Sequence, residues 1–128
     1  MKKYTVLIVD DDKFLLEMYR KKFELDGAEV DLSVGAEEAL SKLRNGATPK
    51  IILLDIIMPG IDGLELLKTI RKEKLSPNSI VIMLTNESDS SQINKAKELG
   101  IKGYIIKATS IPTEVVDKVL EIAGLKNK

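Results

Sequence analysis

Four apolar stretches of this chain each end at a polar residue. Residues 6–9 precede Asp10, residues 51–54 precede Asp55, residues 80–84 precede Thr85, and residues 104–106 precede Lys107. Short apolar runs that alternate with helical patterns are typical of central strands in a parallel sheet covered by helices on both faces. Such sheets bind ligands at the edge where their strands end. The sequence therefore predicts that carboxylates, a hydroxyl and an ammonium gather at one edge of a sheet.

The segments between these strands are predicted to be helices bounded by turn residues. Phe14, Tyr19 and Phe23 follow helical spacing, and a stop signal stands at 26–27. Residues 28–34 alternate between apolar and polar side chains, which is typical of an edge strand. Later helical patterns complete an alternation of five strands with five helices. We find no linker or low-complexity segment that would divide the chain.

This alternation predicts an α/β fold with one domain over residues 1–128. Right-handed crossovers leave few topologies, and the doubly wound order 2-1-3-4-5 is the one we expect for five parallel strands. The predicted architecture is a flavodoxin-like three-layer sandwich. Its first and third strands are neighbours at the switch point, so Asp10, Asp11 and Asp55 should meet there.

Composition excludes several classes of function. The 20 basic and 20 acidic residues balance, so no positive field would attract nucleic acid or an anionic membrane. Cysteine and histidine are absent, which excludes disulfides, thiolate metal sites and a phosphohistidine of the chain's own. No stretch approaches the roughly 18 apolar residues of a transmembrane helix, and the first residues do not resemble a signal peptide. We expect a cytoplasmic protein without direct contacts to nucleic acid or membrane.

Three consecutive aspartates at the end of a buried strand repel one another unless a cation or solvent relieves them. A Mg²⁺ ion, bound through one or two carboxylates, waters and a phosphate oxygen, would do so. The alternative is that these aspartates cap the first helix, where the helix dipole favours anions. Asp12 is the best candidate for such a cap. For Asp10 and Asp11 taken together with Asp55, the metal site is the favoured interpretation.

Asp55 ends an apolar run, and a carboxylate beside Mg²⁺ can attack phosphorus to give an acyl phosphate. Taken alone, Asp55 could be an ordinary strand-terminal aspartate, and Lys107 an ordinary solvated lysine. Phosphoryl transfer needs charge neutralisation and positioning more than covalent assistance. Charge neutralisation and positioning would come from Mg²⁺, the ammonium of Lys107 and the hydroxyl of Thr85, all placed around the Asp55 carboxylate. The combination therefore favours phosphoryl chemistry.

Four motifs on this chain resemble those of the receiver domains of two-component response regulators. Residues 8–12 resemble the acidic pocket, residues 54–60 with 62–63 the phosphoacceptor strand and its loop, and residues 84–85 and 103–107 the two remaining motifs. They occur in the family's order and at its usual spacing. The resemblance covers nearly the whole chain.

The resemblance implies that Asp55 accepts a phosphoryl group from a histidine kinase or a histidine phosphotransfer protein. Mg²⁺ would be the cofactor, bound directly by Asp11 and through water by Asp10. Asp55 itself and the backbone carbonyl of Ile57 would be further ligands. Such a protein is not an enzyme acting on a separate substrate, since it catalyses only its own phosphorylation and dephosphorylation.

The resemblance also assigns a switch. Lys107 would pair with Asp55 and then with the phosphoryl group, and the hydroxyl of Thr85 would move to hydrogen-bond that group. Tyr104 would turn inward and alter the surface made by the fourth helix, the fifth strand and the fifth helix, which binds an effector protein. The alternative for Tyr104 is a half-buried strand aromatic without a switching role.

The chain departs from its relatives in two places. Ala108 follows Lys107 where many relatives have a cis proline, and a non-proline cis bond costs about 2.5 to 4 kcal/mol. We expect either a trans bond with a shifted loop or a strained cis bond. Asn86 follows Thr85 where a small residue is usual, and its larger side chain should narrow the approach to Asp55.

Three other functions compete with a phosphorylated switch. A phosphohydrolase of the haloacid-dehalogenase type needs a second aspartate two residues after its nucleophile, where this chain has Ile57. A flavodoxin-like flavin binder needs a phosphate loop after the first strand, and the aspartates at 10–12 would repel that phosphate. A constitutive protein-interaction module with an unused pocket remains open.

Overall fold

Strands and helices alternate from one end of the chain to the other. The structure, a computed structural model, describes residues 4–86, 90–107 and 110–126. The elements are β1 (Thr5–Asp10), α1 (Lys13–Leu25), β2 (Glu29–Val34), α2 (Ala36–Arg44), β3 (Ile51–Leu54), α3 (Gly63–Lys72), β4 (Ile80–Thr85), α4 (Ser90–Glu98), β5 (Gly103–Ile106) and α5 (Pro112–Ala123). The five strands form one parallel sheet of order β2-β1-β3-β4-β5. The predicted fold class and strand order are confirmed.

Helices cover both faces of the sheet, and each face has its own apolar cluster. Alternate residues of the central strands pack under α2, α3 and α4 on one face, and the intervening residues pack under α1 and α5 on the other. All four residues of β3 are buried, because both sides of that strand are covered. In β2, at the sheet edge, Glu29 and Asp31 are exposed, as the alternating sequence predicts. Among the described residues, no helix is both long and apolar enough to cross a bilayer.

The strand register brings the polar ends of the strands together. Val9 of β1 lies beside Leu54 of β3, and the amide of Asp55 donates a hydrogen bond of 3.1 Å to the carbonyl of Val9. Asp10 and Asp55 are therefore neighbours just beyond the apolar core. Thr85 of β4 lies beside Ile106, the residue before Lys107.

Two aspartates start helices close to this edge. The side chain of Asp12 accepts hydrogen bonds from the amides of Phe14 and Leu15, at 3.0 and 3.2 Å, and so caps α1. The side chain of Asp62 accepts one from the amide of Glu65 at 2.9 Å and caps α3. The cap predicted for Asp12 is confirmed, and α1 thereby begins directly after the acidic cluster.

Candidate functional site

Three carboxylates meet at the carboxyl edge of the sheet. Asp10 ends β1, Asp55 follows β3, and both are buried, whereas the adjacent Asp11 is exposed. One carboxylate oxygen from each of the three lies within 4.8 Å of the others. The neighbouring positions of β1 and β3 cause this convergence, as the sequence predicts.

Lys107 reaches from the end of β5 into the same cluster. Its Nζ atom lies 2.6 Å from Oδ2 of Asp10 and 3.0 Å from Oδ2 of Asp55. The other oxygen of each carboxylate accepts a hydrogen bond from a backbone amide. Asp12 donates to Oδ1 of Asp10 at 3.1 Å, and Ile57 donates to Oδ1 of Asp55 at 3.3 Å. The two buried carboxylates are thus fixed on both sides by donors.

The burial of these charges alters their protonation. Burial raises the pKa of Asp55 above its ordinary value, although the charge of Lys107 and its hydrogen bond oppose that rise. For Lys107, burial alone would lower the pKa, but the hydrogen bond to Asp10 and the charges of both carboxylates outweigh it and raise that pKa. Lys107 therefore stays an ammonium at neutral pH and remains a cation shared between two acids.

The charge and the donor atoms of the cluster suit a hard divalent cation. Three carboxylates against one ammonium leave a formal charge of −2, which one divalent ion would neutralise. Every candidate ligand atom is an oxygen, the donor type that Mg²⁺ prefers over the nitrogen and sulfur ligands of softer metals. The exposed Asp11 gives such an ion access from solvent. The residues present therefore fit Mg²⁺.

The cluster lies in an open cleft of about 460 Å³. Its lining consists of Asp10, Asp11, Asp12, Leu15, Asp55, Ile57, Asn86 and Lys107. The structure thus brings together every residue predicted to bind the metal and the predicted lysine. Asn86 also lines this cleft, as expected from its position after Thr85. Ala108, on which the prediction about the peptide bond depends, lies outside the described residues.

Neither of the two predicted switch residues is among those that line the cleft. Thr85 is fully buried at the end of β4. Tyr104 is 41% exposed and lines a separate shallow groove beside α5. The ladder between β4 and β5 places Met83 opposite Tyr104 and Thr85 opposite Ile106. Thr85 and Tyr104 are therefore on the same face of the sheet, one diagonal step apart.

Sequence reasoning missed three features near the site. Phe14 follows the helical spacing of α1 but is exposed, because the buried face of that helix is formed by other residues. The Nζ atom of Lys97 lies 5.6 Å from the ring centroid of Tyr104. A Cβ atom built on Gly63 would lie 2.0 Å from the carbonyl oxygen of Asp55. The glycine in the loop motif was the one available signal for the last of these contacts.

Comparison with known proteins adds a decisive observation to this geometry. The family model described as the response regulator receiver domain matches residues 6–119. The chain belongs to this family. Receiver domains are regulators rather than enzymes in the ordinary sense, and they bind Mg²⁺ at an acidic pocket. Membership in the receiver-domain family agrees with the resemblance of the four motifs. It disfavours the two alternative functions of a phosphohydrolase and a flavin-binding protein.

Several curated relatives are described as transcriptional regulators. The receiver domain is 35% identical over 114 residues to the transcriptional regulatory protein ResD of Bacillus subtilis, covering 89% of this chain and 45% of that protein. It is 32% identical over 122 residues to the probable transcriptional regulator ycf27 of Porphyridium aerugineum, covering 95% of this chain and 49% of that protein. The chain spans about half the length of the curated relatives it matches.

Solved structures agree on the fold. A CheY-like receiver domain protein from Methanospirillum hungatei superposes with a TM-score of 0.85 at 29% identity, covering 96% of this chain and 95% of that one. A putative response regulator from Chloroflexus aurantiacus gives a TM-score of 0.82 at 34% identity, covering 96% and 99%. In these comparisons nearly the whole of this chain takes part in the shared architecture.

Proposed function

We propose that this receiver domain is a phosphorylation-dependent switch of a two-component phosphorelay. Asp55 would accept a phosphoryl group from a histidine kinase or a histidine phosphotransfer protein, with Mg²⁺ as cofactor. This proposal rests mainly on the groups that surround the Asp55 carboxylate. Asp55 has the Nζ atom of Lys107 at 3.0 Å and oxygens of Asp10 and Asp11 within 4.8 Å.

The metal would be held by Asp10, Asp11, Asp55 and the backbone carbonyl of Ile57. When bound, Mg²⁺ would neutralise charge on the phosphoryl oxygens and orient them toward Asp55. The residues of the chain would do the rest of the positioning. The amide of Ile57 already orients the Asp55 carboxylate, and the amide of Asp12 does the same for Asp10. Such fixed dipoles need little reorganisation during the reaction.

The proposed transfer is a displacement at phosphorus. An oxygen of the Asp55 carboxylate forms a bond to phosphorus, and the bond from phosphorus to the donor's imidazole nitrogen breaks, with that nitrogen keeping the electron pair. The product is an acyl phosphate on Asp55. Lys107 is close enough to transfer one of its hydrogen bonds from the carboxylate to a phosphoryl oxygen, because it remains protonated and already contacts Asp55.

The signal would leave the site through Thr85 and Tyr104. The Thr85 hydroxyl would move to hydrogen-bond the phosphoryl group, and Tyr104 would turn into the space near Thr85 on the same face of the sheet. That movement would change the surface formed by α4, β5 and α5, to which an effector protein would bind. The diagonal placement of the two residues across the β4–β5 ladder supports this route.

Exposed apolar side chains at the same edge support a protein as the phosphodonor. Phe14 is 73% exposed, Ile57 58% and Ile111 63%. They follow β1, β3 and β5, so all three belong to segments that leave the sheet at the edge holding Asp55. Large apolar side chains exposed together are typical of protein-binding surfaces. We propose that a donor covers them while it presents its phosphohistidine to Asp55.

Labelling with a phosphorylated histidine kinase or with acetyl phosphate tests this function. The native chain should become labelled in the presence of Mg²⁺ and should take no label when EDTA is present from the start. Asp55→Asn should remove the label, since an amide cannot form the acyl phosphate. Asp12→Asn is the matched control, because asparagine also caps a helix well and Asp12 is not among the proposed ligands. A native chain that takes no label from either donor would favour the constitutive interaction module.

A further inference from the structure

Tyr104 has an unusual environment for a residue of β5. The side chains of Leu84 and Ile105 pack into the cluster under α1 and α5, so Tyr104 faces the opposite side, toward α4. On that side its neighbour across the ladder, Met83, is fully buried, yet Tyr104 is 41% exposed. The ring of Tyr104 therefore points outward, although the side chain of Met83, at the paired position of the adjacent strand, is in the core.

A lysine from α4 contacts this outward ring. The Nζ atom of Lys97 lies 5.6 Å from the ring centroid, within the range of an attractive cation–π contact. Lys97 follows the buried Ile93 by one helical turn, so both lie on the same side of α4. The apolar side of the helix packs on the sheet, while the ammonium stays at the surface above Tyr104.

The contact is specific to the outward position of the ring. If Tyr104 turned inward beneath α4, an ammonium that followed it would leave the surface for the apolar side of α4, where Met83, Ile93 and Ala96 are buried, and would lose its water. Burying an unpaired ammonium is strongly unfavourable. The ring and the amine must therefore separate when the ring turns in, and the contact stabilises only the outward arrangement.

We propose that Lys97 acts as a latch that holds Tyr104 outward and so favours the unphosphorylated state. This inference rests on the switch proposed above and identifies a residue that regulates it. An exposed cation–π contact biases an equilibrium by roughly 2- to 5-fold. Because coupling between two equilibria is reciprocal, the latch must weaken binding of a phosphoryl group, or of a phosphoryl analogue, to the site by the same factor.

The experiment measures how tightly each variant binds beryllofluoride with Mg²⁺, a stand-in for the phosphoryl group on Asp55. The chain contains three tyrosines, so fluorotyrosine labelling gives few resonances, and Tyr104→Phe assigns the relevant one. Lys97→Met keeps the length of the side chain and removes its charge. Lys97→Arg keeps a cation over the ring. Lys95→Met is the matched control, because it removes an exposed lysine from the same helix.

We expect Lys97→Met to bind beryllofluoride roughly 2- to 5-fold more tightly than the native chain. Its Tyr104 resonance without ligand should move toward the ligand-bound position. Lys97→Arg and Lys95→Met should behave like the native chain. Equal affinities for Lys97→Met and Lys95→Met, with a Tyr104 resonance that still responds to beryllofluoride, would overturn the latch and leave the switch intact. A native chain whose Tyr104 resonance ignores saturating beryllofluoride would overturn the switch, and the latch with it.

Discussion

Helices α3 and α4 cover the same face of the sheet but are held to it very differently. The side of α3 that faces the sheet buries Leu64, Leu66, Leu67 and Ile70. Within the described part of α4, only Ile93 and Ala96 are buried. Helical stability in proteins comes mainly from packing of the apolar face. We therefore expect α3 to be firmly fixed and α4 to move at a much smaller cost.

The start of α3 is also fixed to the site itself. The amide of Gly63 donates a hydrogen bond of 2.7 Å to the carbonyl of Ile56, and the backbone of Gly63 packs directly against that of Asp55. The residues that follow α4 are bound by a side chain of α3. Arg71 donates hydrogen bonds of 2.8 and 3.1 Å to the carbonyls of Leu99 and Gly100.

This difference separates two requirements of a switch. The residues that position Asp55, the proposed phosphoacceptor, lie next to a helix with many buried anchors, so we expect Asp55 to keep its place beside Asp10 and Lys107. The helix that carries Lys97 belongs to the proposed output surface and has few buried anchors. Regions that change conformation generally come from the least stable parts of a protein.

The largest expected effect is that of Gly63→Ala. The new Cβ would lie 2.0 Å from the carbonyl oxygen of Asp55, and neither backbone can yield easily. We expect a loss of at least about 4 kcal/mol in the free energy of unfolding, together with loss of phosphoryl labelling. Urea denaturation and the labelling assay measure the two effects.

Gly103→Ala is the control for that change. The three atoms nearest to its Cβ would be side-chain atoms of Ile122, at 3.0 to 3.3 Å, and these can move aside. We expect a cost of about 1 kcal/mol or less, with labelling retained. If Gly63→Ala proved as stable as the native chain, that result would contradict the close backbone contact between Gly63 of α3 and Asp55.

Truncation of one buried side chain in each helix gives the next largest difference. Leu67→Ala should lower the free energy of unfolding by about 4 kcal/mol, because the leucine is fully enclosed. Ile93→Ala should lower it by about 2 kcal/mol, because 7% of that isoleucine is exposed and its site can relax more easily. Urea unfolding measures both losses, and the comparison is valid if the two variants have the same m-value. Equal costs at the two positions would contradict the proposed difference in anchoring.

The smallest expected effect is that of Arg71→Met. This change removes the two hydrogen bonds that the partly exposed guanidinium donates. It should lower the free energy of unfolding by about 1 kcal/mol. Hydrogen exchange should accelerate at amides 93–101 but not at amides of α3. Lys72→Met is the control, since Lys72 is exposed on the same helix. Uniform acceleration in both helices would show that Arg71 stabilises the whole domain rather than α4.

Much of this molecule follows from local patterns of sequence. The apolar runs predicted the central strands, and crossover handedness then left the observed strand order. That order alone brought Asp10 and Asp55 to the same edge. The Asp12 cap was also predictable, because a helix start and an aspartate before it are adjacent in the chain.

The remaining features depend on how the elements pack, which periodicity does not determine. Phe14 follows helical spacing, but the rotation of α1 on the sheet leaves it at the surface. The contact between Lys97 and Tyr104 depends on how α4 lies on the sheet, and an α4 with few buried residues gives a weak signal for that. The contact of Gly63 with Asp55 depends on the angle at which α3 leaves its loop.

Lys107 gives the domain one last property, which concerns its synthesis. The lysine follows Asp10 by 97 positions and Asp55 by 52. A nascent chain therefore acquires the counter-charge for its two buried acids only when the fifth strand has emerged and docked. We expect a nascent chain whose fifth strand has not yet docked to be unable to accept a phosphoryl group on Asp55.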